Sequence, residues 1–202
     1  MKLVGLTTIC ASAIVLLFSC GKVKDAANAA EGLKNYAQNM EASTKKMEDR
    51  RSKGDTIALP YAELQKYLPA SVSGYTKDGD PEGESMNMTG ASYSTASQKF
   101  KKGDDDLKVT IVDYNAAYAL FGMATAMMQT GFSVDNADEK LGGVELKAGK
   151  GWEDFKKKEK RASVVVTINE RFLVTVEASN QTSTDLVKDV ANSLDLKKLA
   201  DL

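Results

Sequence analysis

Ser163-Val164-Val165-Val166-Thr167-Ile168-Asn169-Glu170-Arg171-Phe172-Leu173-Val174-Thr175-Val176-Glu177-Ala178 is the stretch that decides the fold. Valine, isoleucine and threonine crowd both halves, and β-branched side chains favour extended backbone over helix. The residues between the halves, Asn169-Glu170-Arg171, have the length and polarity of a hairpin loop. Two strands joined so tightly run antiparallel. A second hairpin lies upstream, Ala91–Phe100 with Leu107–Tyr114. There Leu107, Val109 and Ile111 alternate with Lys108 and Thr110, and residues 101–106 read as the loop.

Outward from these hairpins, Gly142–Ala148 alternates through Val144 and Leu146. Trp152-Glu153-Asp154-Phe155 then leads a further strand that turns around Lys156–Arg161. Helical spacing appears in 60–68, where Tyr61, Leu64 and Leu68 share a face before Pro69. It returns in 116–132, where Leu120, Phe121, Met123, Ala124, Met127, Met128 and Phe132 leave little polar face. So apolar a helix is expected to lie buried against a sheet or to line a groove. The last helix carries Leu186, Val187, Val190, Ala191 and Leu194 after a cap at Thr182 or Ser183. Hairpins imply an antiparallel sheet, and the prediction is an α+β fold with about six strands and helices packed on them. The order of elements resembles the α/β/α sandwich of PsbP and Mog1 proteins. Leu68-Pro69 and Gly74-Tyr75 are similar to the openings of uncharacterised secreted bacterial proteins. Neither resemblance carries a site or an activity.

Residues 21–55 read differently. They hold no proline and are rich in helix formers, with Val23, Ala26, Ala30, Leu33, Ala37, Met40, Thr44 and Met47 spaced by three and four. That seam is narrow and alanine-rich, so a long N-terminal helix, a solvated spacer ahead of the sheet, is predicted. Fully helical, it would reach roughly 40–50 Å. The charge run 45–55 ends at Gly54, which sets the boundary of a single globular domain, 56–202.

Ahead of the spacer, Met1-Lys2 precedes an uncharged stretch, Leu3–Phe18, whose apolar centre is too short for a comfortable membrane span. Leu17-Phe18-Ser19-Cys20-Gly21 resembles the class II (lipobox) signal of bacterial lipoproteins, with Leu17 three before the cysteine and small Ser19 just before it. The resemblance implies a signal peptide over 1–19, cleavage before Cys20, and acylation of Cys20 that fixes the chain in the bilayer. Two or three acyl chains suffice for stable anchoring. Gly21 stands where enteric bacteria place the aspartate that retains lipoproteins at the inner membrane. The outer membrane, facing the periplasm, is therefore the expected location.

Composition excludes several chemistries. The 202 residues contain no histidine and two cysteines, of which Cys10 leaves with the signal and Cys20 is claimed by lipid. Ser-His-Asp and Cys-His mechanisms, histidine zinc sites and disulfides are thereby ruled out. The cleaved chain of 183 residues keeps 26 basic and 28 acidic side chains, a balance with no grip on nucleic acid. No cofactor is expected.

Weaker candidates are few. Asp78, Asp80, Glu82 and Glu84 begin like an EF-hand loop, but Thr89 stands where the closing glutamate belongs, so weak calcium binding is the most they suggest. Met86 and Met88 place two thioethers on one strand face, which suits a soft metal but more simply fills a core. Gly149-Lys150-Gly151 lacks the rest of a phosphate loop and reads as a turn. Lys156–Arg161 reads as a solvated basic tip, with lipid headgroups or an acidic partner as the alternative. No carboxylate pair stands out for acid–base catalysis; Glu153 and Asp154 point to opposite faces if extended.

The sequence therefore predicts a non-enzymatic, membrane-anchored binding or scaffolding module with an envelope protein partner. One alternative is a carrier of a small apolar molecule, in a groove formed by Leu120, Met123, Met127 and Met128. The other is a carboxylate-based enzyme of unfamiliar type.

Overall fold

The structure, a computed structural model, describes residues 34, 37, 38, 41, 44–88, 91–115, 117–125, 128 and 131–202. The predicted signal peptide with Leu17, Ser19 and Cys20 lies outside the described residues, as do Met127 and Thr89. Of the expected long N-terminal helix, the described residues show residues 44–52 (α1) and helical positions 34, 37, 38 and 41; the rest of that expectation falls outside them.

Gly54 ends α1 with a φ of 80°. Gly54 N–H donates to Arg51 O and Asp55 N–H donates to Arg50 O, both at 3.0 Å. This pair of bonds is the Schellman arrangement, which satisfies the last carbonyls of a helix and needs a left-handed residue at that place. Gly54 is thus the stop of α1.

Next come α2 (Tyr61–Leu64), running into a 3₁₀ turn at Gln65–Tyr67, and the strands β1 (Thr76–Lys77), β2 (Glu82–Met88), β3 (Ala91–Lys102) and β4 (Asp105–Asp113). After α3 (Tyr118–Thr125) follow β5 (Val134–Asp135), β6 (Glu139–Leu146), β7 (Gly149–Lys156), β8 (Arg161–Ile168) and β9 (Phe172–Ala178). Helices α4 (Asp185–Ser193) and α5 (Lys197–Ala200) close the chain. All strand pairs are antiparallel, in the order β1-β3-β4-β9-β8-β7-β6-β5, with β2 beside β1 on the outer edge of β3.

The α+β class stands, but the sheet has nine strands where about six were expected. The additional three are β1, β2 and β5. Two of them are two residues long, too short to show a period. The third, Glu-Gly-Glu-Ser-Met-Asn-Met, is exposed along its whole length, so it never needed alternating apolar residues.

Four further expectations shift. The loop 101–106 shrinks to Gly103-Asp104, because β3 and β4 extend until Lys102 pairs with Asp105. Gly103, at φ 59°, takes the first position of this two-residue turn. Gly149-Lys150-Gly151 is strand, and the turn lies at 147–148. The last helix starts after Thr184 rather than Thr182 or Ser183. Finally, α3 is not buried all round: Phe121 is buried, yet Leu120 and Met123 are 42% and 69% exposed.

The core follows the alternation of the central strands. Leu107, Val109 and Ile111 of β4, Val174 and Val176 of β9, and Val164 and Val166 of β8 point to one face with almost no exposure. Leu64, Val187, Val190, Ala191 and Leu199 come down from α2, α4 and α5 to meet them. Each buried valine or leucine contributes about 1.5–3 kcal/mol. The residues between, Thr110, Val112, Leu173, Thr175, Val165 and Trp152, occupy the second face and are half-buried.

Candidate functional site

At one end of the sheet the core gives way to a cluster of charge. Asp113 has the parity of Leu107, Val109 and Ile111, so strand geometry sends its carboxylate into the core side, where it is fully buried. Arg171 meets it from the β8–β9 turn. Asn169 and Glu170 both have positive φ, 52° and 44°, which closes the turn tightly. Arg171, the third loop residue, is 3% exposed.

The guanidinium uses all its nitrogens. Nε donates to Asp113 Oδ1 and Nη2 to Asp113 Oδ2, each at 2.8 Å, while Nη1 donates to Asp55 Oδ2 at 3.1 Å. Leu59 N–H and Asn115 N–H each donate to the Asp113 carboxylate at 2.9 Å. Asn115 Nδ2 donates to Asp55 Oδ1 and to Ile57 O, and Arg50 Nε donates to Asn115 Oδ1 at 3.2 Å. Lys46 of α1 pairs with Glu170 on the outside of the same turn. Burial alone would lower the Arg171 pKa, but the hydrogen bonds to Asp113 and the charges of Asp113 and Asp55 outweigh it and raise it. Arg50 goes the other way, lowered by burial and by Arg171 beside it.

The arrangement fastens residues 46–59 to the ends of β4 and the β8–β9 turn. A buried ion pair of this kind gains little over an apolar substitute, yet losing one partner is costly. What it supplies is a single geometry for the join.

A second buried carboxylate lies across the sheet. Glu153 of β7, on the core face, accepts from Thr184 Oγ1, pairs with Lys140 at 2.8 Å and approaches Lys188 at 3.5 Å. Burial pushes its pKa up, and the bonds from Lys140 and Thr184 with the charge of Lys188 hold it below the ordinary value. Thr184 precedes α4 but gives its hydroxyl to Glu153 instead of capping. This cluster pins α4 to the sheet.

On the second face, a cavity of about 400 Å³ is bordered by Lys99, Lys108, Arg161, Asp106 and Glu177. Its charges are mixed, and Lys99 is held by Glu82 at 2.8 Å. Of the predicted groove residues that are described, Leu120 and Met123 show themselves to solvent, Met128 is half-buried, and none of these three lines this cavity. The acidic run separates too. Asp78 pairs with Lys101 at 3.4 Å and Glu82 with Lys99, while Glu84 sits on an exposed strand. Among the described residues no three acidic, histidine or cysteine side chains come together as a metal would need. No helix among them is long and apolar enough to cross a membrane.

Sequence reading missed Asp55, Asp113, Asn115 and Arg171. One signal was present: Asp113 continues the apolar parity of β4, and an acid at a core position needs a cation. Comparison with known proteins adds nothing to this geometry, since no family model and no curated protein matches the chain.

Proposed function

We propose that this protein is a lipid-anchored envelope module that works by binding or scaffolding rather than by catalysis. One observation carries the reading: Arg171 and Asp113 are consumed in fastening the segment that leads back towards Cys20. Groups used this way position a domain; they are not free to move protons or attack a substrate. Leu17, Ser19 and Cys20 supply the expected anchor, and the outer membrane facing the periplasm is the proposed location.

The test is metabolic palmitate labelling with membrane fractionation. Label and membrane association are expected in the native chain and absent from Cys20→Ala. Label persisting in Cys20→Ala would overturn the anchor. Hydrolytic activity of the purified chain, lost on substitution of a cavity carboxylate such as Glu177 or Asp106, would overturn the non-catalytic part.

The exposed Leu120 and Met123 favour one further reading, contact with an apolar small molecule or partner through α3. Lipid co-purifying with the native chain but not with Leu120→Asp would support it.

A further inference from the structure

The edges of the sheet are unequal. On one side it ends in β5, two residues long, and short edge strands resist pairing with other chains. On the other side β2 offers seven residues, each matched one to one with β3 from Glu82↔Ser97 to Met88↔Ala91 without a bulge. All seven are exposed, and the strand contains neither lysine nor proline. The charges that guard this edge are two glutamates, Glu82, already paired with Lys99, and Glu84.

We propose that β2 is a self-association edge, on which two copies of the chain pair antiparallel about a two-fold axis at Ser85. Residues directly opposite in an antiparallel pair share a face, so a two-fold register must match residues of equal parity. Centring on Ser85 sets Glu82 opposite Met88, Gly83 opposite Asn87 and Glu84 opposite Met86, and uses the whole strand. Centring on Glu84 sets glutamate against glutamate, and centring on Met86 leaves Glu82 outside the strand. Only the Ser85 register pairs all seven residues without opposing acids.

The other face agrees. Tyr61 lies against Gly83, whose added Cβ would meet its ring at 2.7 Å. Residues 57–58 run beside Asn87, through Ala58 N–H on Ser92 Oγ and Ser92 Oγ on Asn87. Gly83 opposite Asn87 therefore brings Tyr61 of one copy towards Ile57 of the other, side chains 41% and 64% exposed in the single chain. Met86 and Met88, 40% and 61% exposed, are covered on the opposite face. The closed isologous pair leaves no further β2 edge to extend a filament.

The experiment introduces Ser85→Cys or Met88→Cys into the full-length, membrane-inserted chain and oxidises with tetrathionate. Ser85→Cys is expected to yield a disulfide dimer on a non-reducing gel. Met88→Cys, whose two copies would stand roughly 20 Å apart, is expected to match the unsubstituted chain. Because Ser85 Oγ accepts from Tyr61 N–H at 2.9 Å, a second pair of variants leaves that bond intact. Met86→Glu places two like-charge pairs across the axis and should weaken the dimer of detergent-extracted protein roughly tenfold by sedimentation. Met86→Lys, facing Glu84, should keep or tighten it. Equal cross-linking at 85 and 88, cross-linking of Ser85→Cys to a different protein, or no change with either charge at 86 would overturn the proposal.

Discussion

Replacing Arg171 by methionine removes the cation from Asp113 while keeping much of the side-chain volume. Asp113, fully buried, would retain its bonds from Leu59 N–H and Asn115 N–H but lose two charged donors at 2.8 Å. An uncompensated buried carboxylate costs about 3–5 kcal/mol. For a domain of this size each kcal/mol moves the midpoint by about 2–4 °C, so a fall of about 6–20 °C is expected. Urea unfolding of the purified chain, followed through the fluorescence of its one tryptophan, Trp152, reads the loss directly. Adding Asp113→Asn tests the cause. The amide is neutral and can still accept from a backbone N–H, so the double variant should be more stable than Arg171→Met alone. A loss below about 1 kcal/mol for Arg171→Met would refute the reasoning, as would a double variant whose losses simply add.

Lys46→Ala, at the exposed outer pair with Glu170, should cost less than about 1 kcal/mol in the same assay, because solvent already screens that contact. Gly151→Ala should cost about 1–3 kcal/mol, since its Cβ would stand 2.7 Å from Val165 O and 3.1 Å from Leu146; Gly143→Ala, with open space around it, should stay within about 0.5 kcal/mol. The Glu153 carboxyl is held below its ordinary value in the folded chain, so its contribution is complete above the unfolded pKa and fades as pH falls through the folded one. Glu153→Gln should therefore flatten the loss of thermal stability on acidification below about pH 4.5, and a titration as steep as the native one would count against this.

The parts of the fold legible in the sequence are those where burial imposes a period. β4, β8 and β9 are buried on one face and half-buried on the other, and their alternation located both central hairpins. β2 is exposed along its whole length, so its residues answered to no period, and only Met86 and Met88 at its end were read as strand. Gly54 was legible because a left-handed residue after a charged helical run has one common use. The charged cluster was not, because Asp55, Asp113 and Arg171 are 58 or more residues apart along the chain and meet only once strand order is known. α3 misled for a related reason: its composition promises burial, while Leu120 and Met123 face outward. Apolar content says that a helix has something to contact, without saying that this chain supplies it.

Strand direction also bears on the basic run 156–161. β4 ends at Asp113 beside the Arg171 turn, and the register through β9, β8 and β7 puts Lys156–Arg161 at the opposite end of the sheet, eight residues or about 26 Å away. Residues 46–59 join the sheet at the Arg171 end. The basic tip therefore lies at the far end of the sheet from that join. Three of its four lysines are also engaged: Lys156 with Glu139, Lys157 with Asp135 and Lys158 with Asp138. Charges already matched within their own hairpins add little attraction for an anionic surface. The sequence suggested three uses for this run, a solvated tip, headgroup contact and an acidic partner; on the proposed anchor, its position and its ion pairs weigh against headgroup contact.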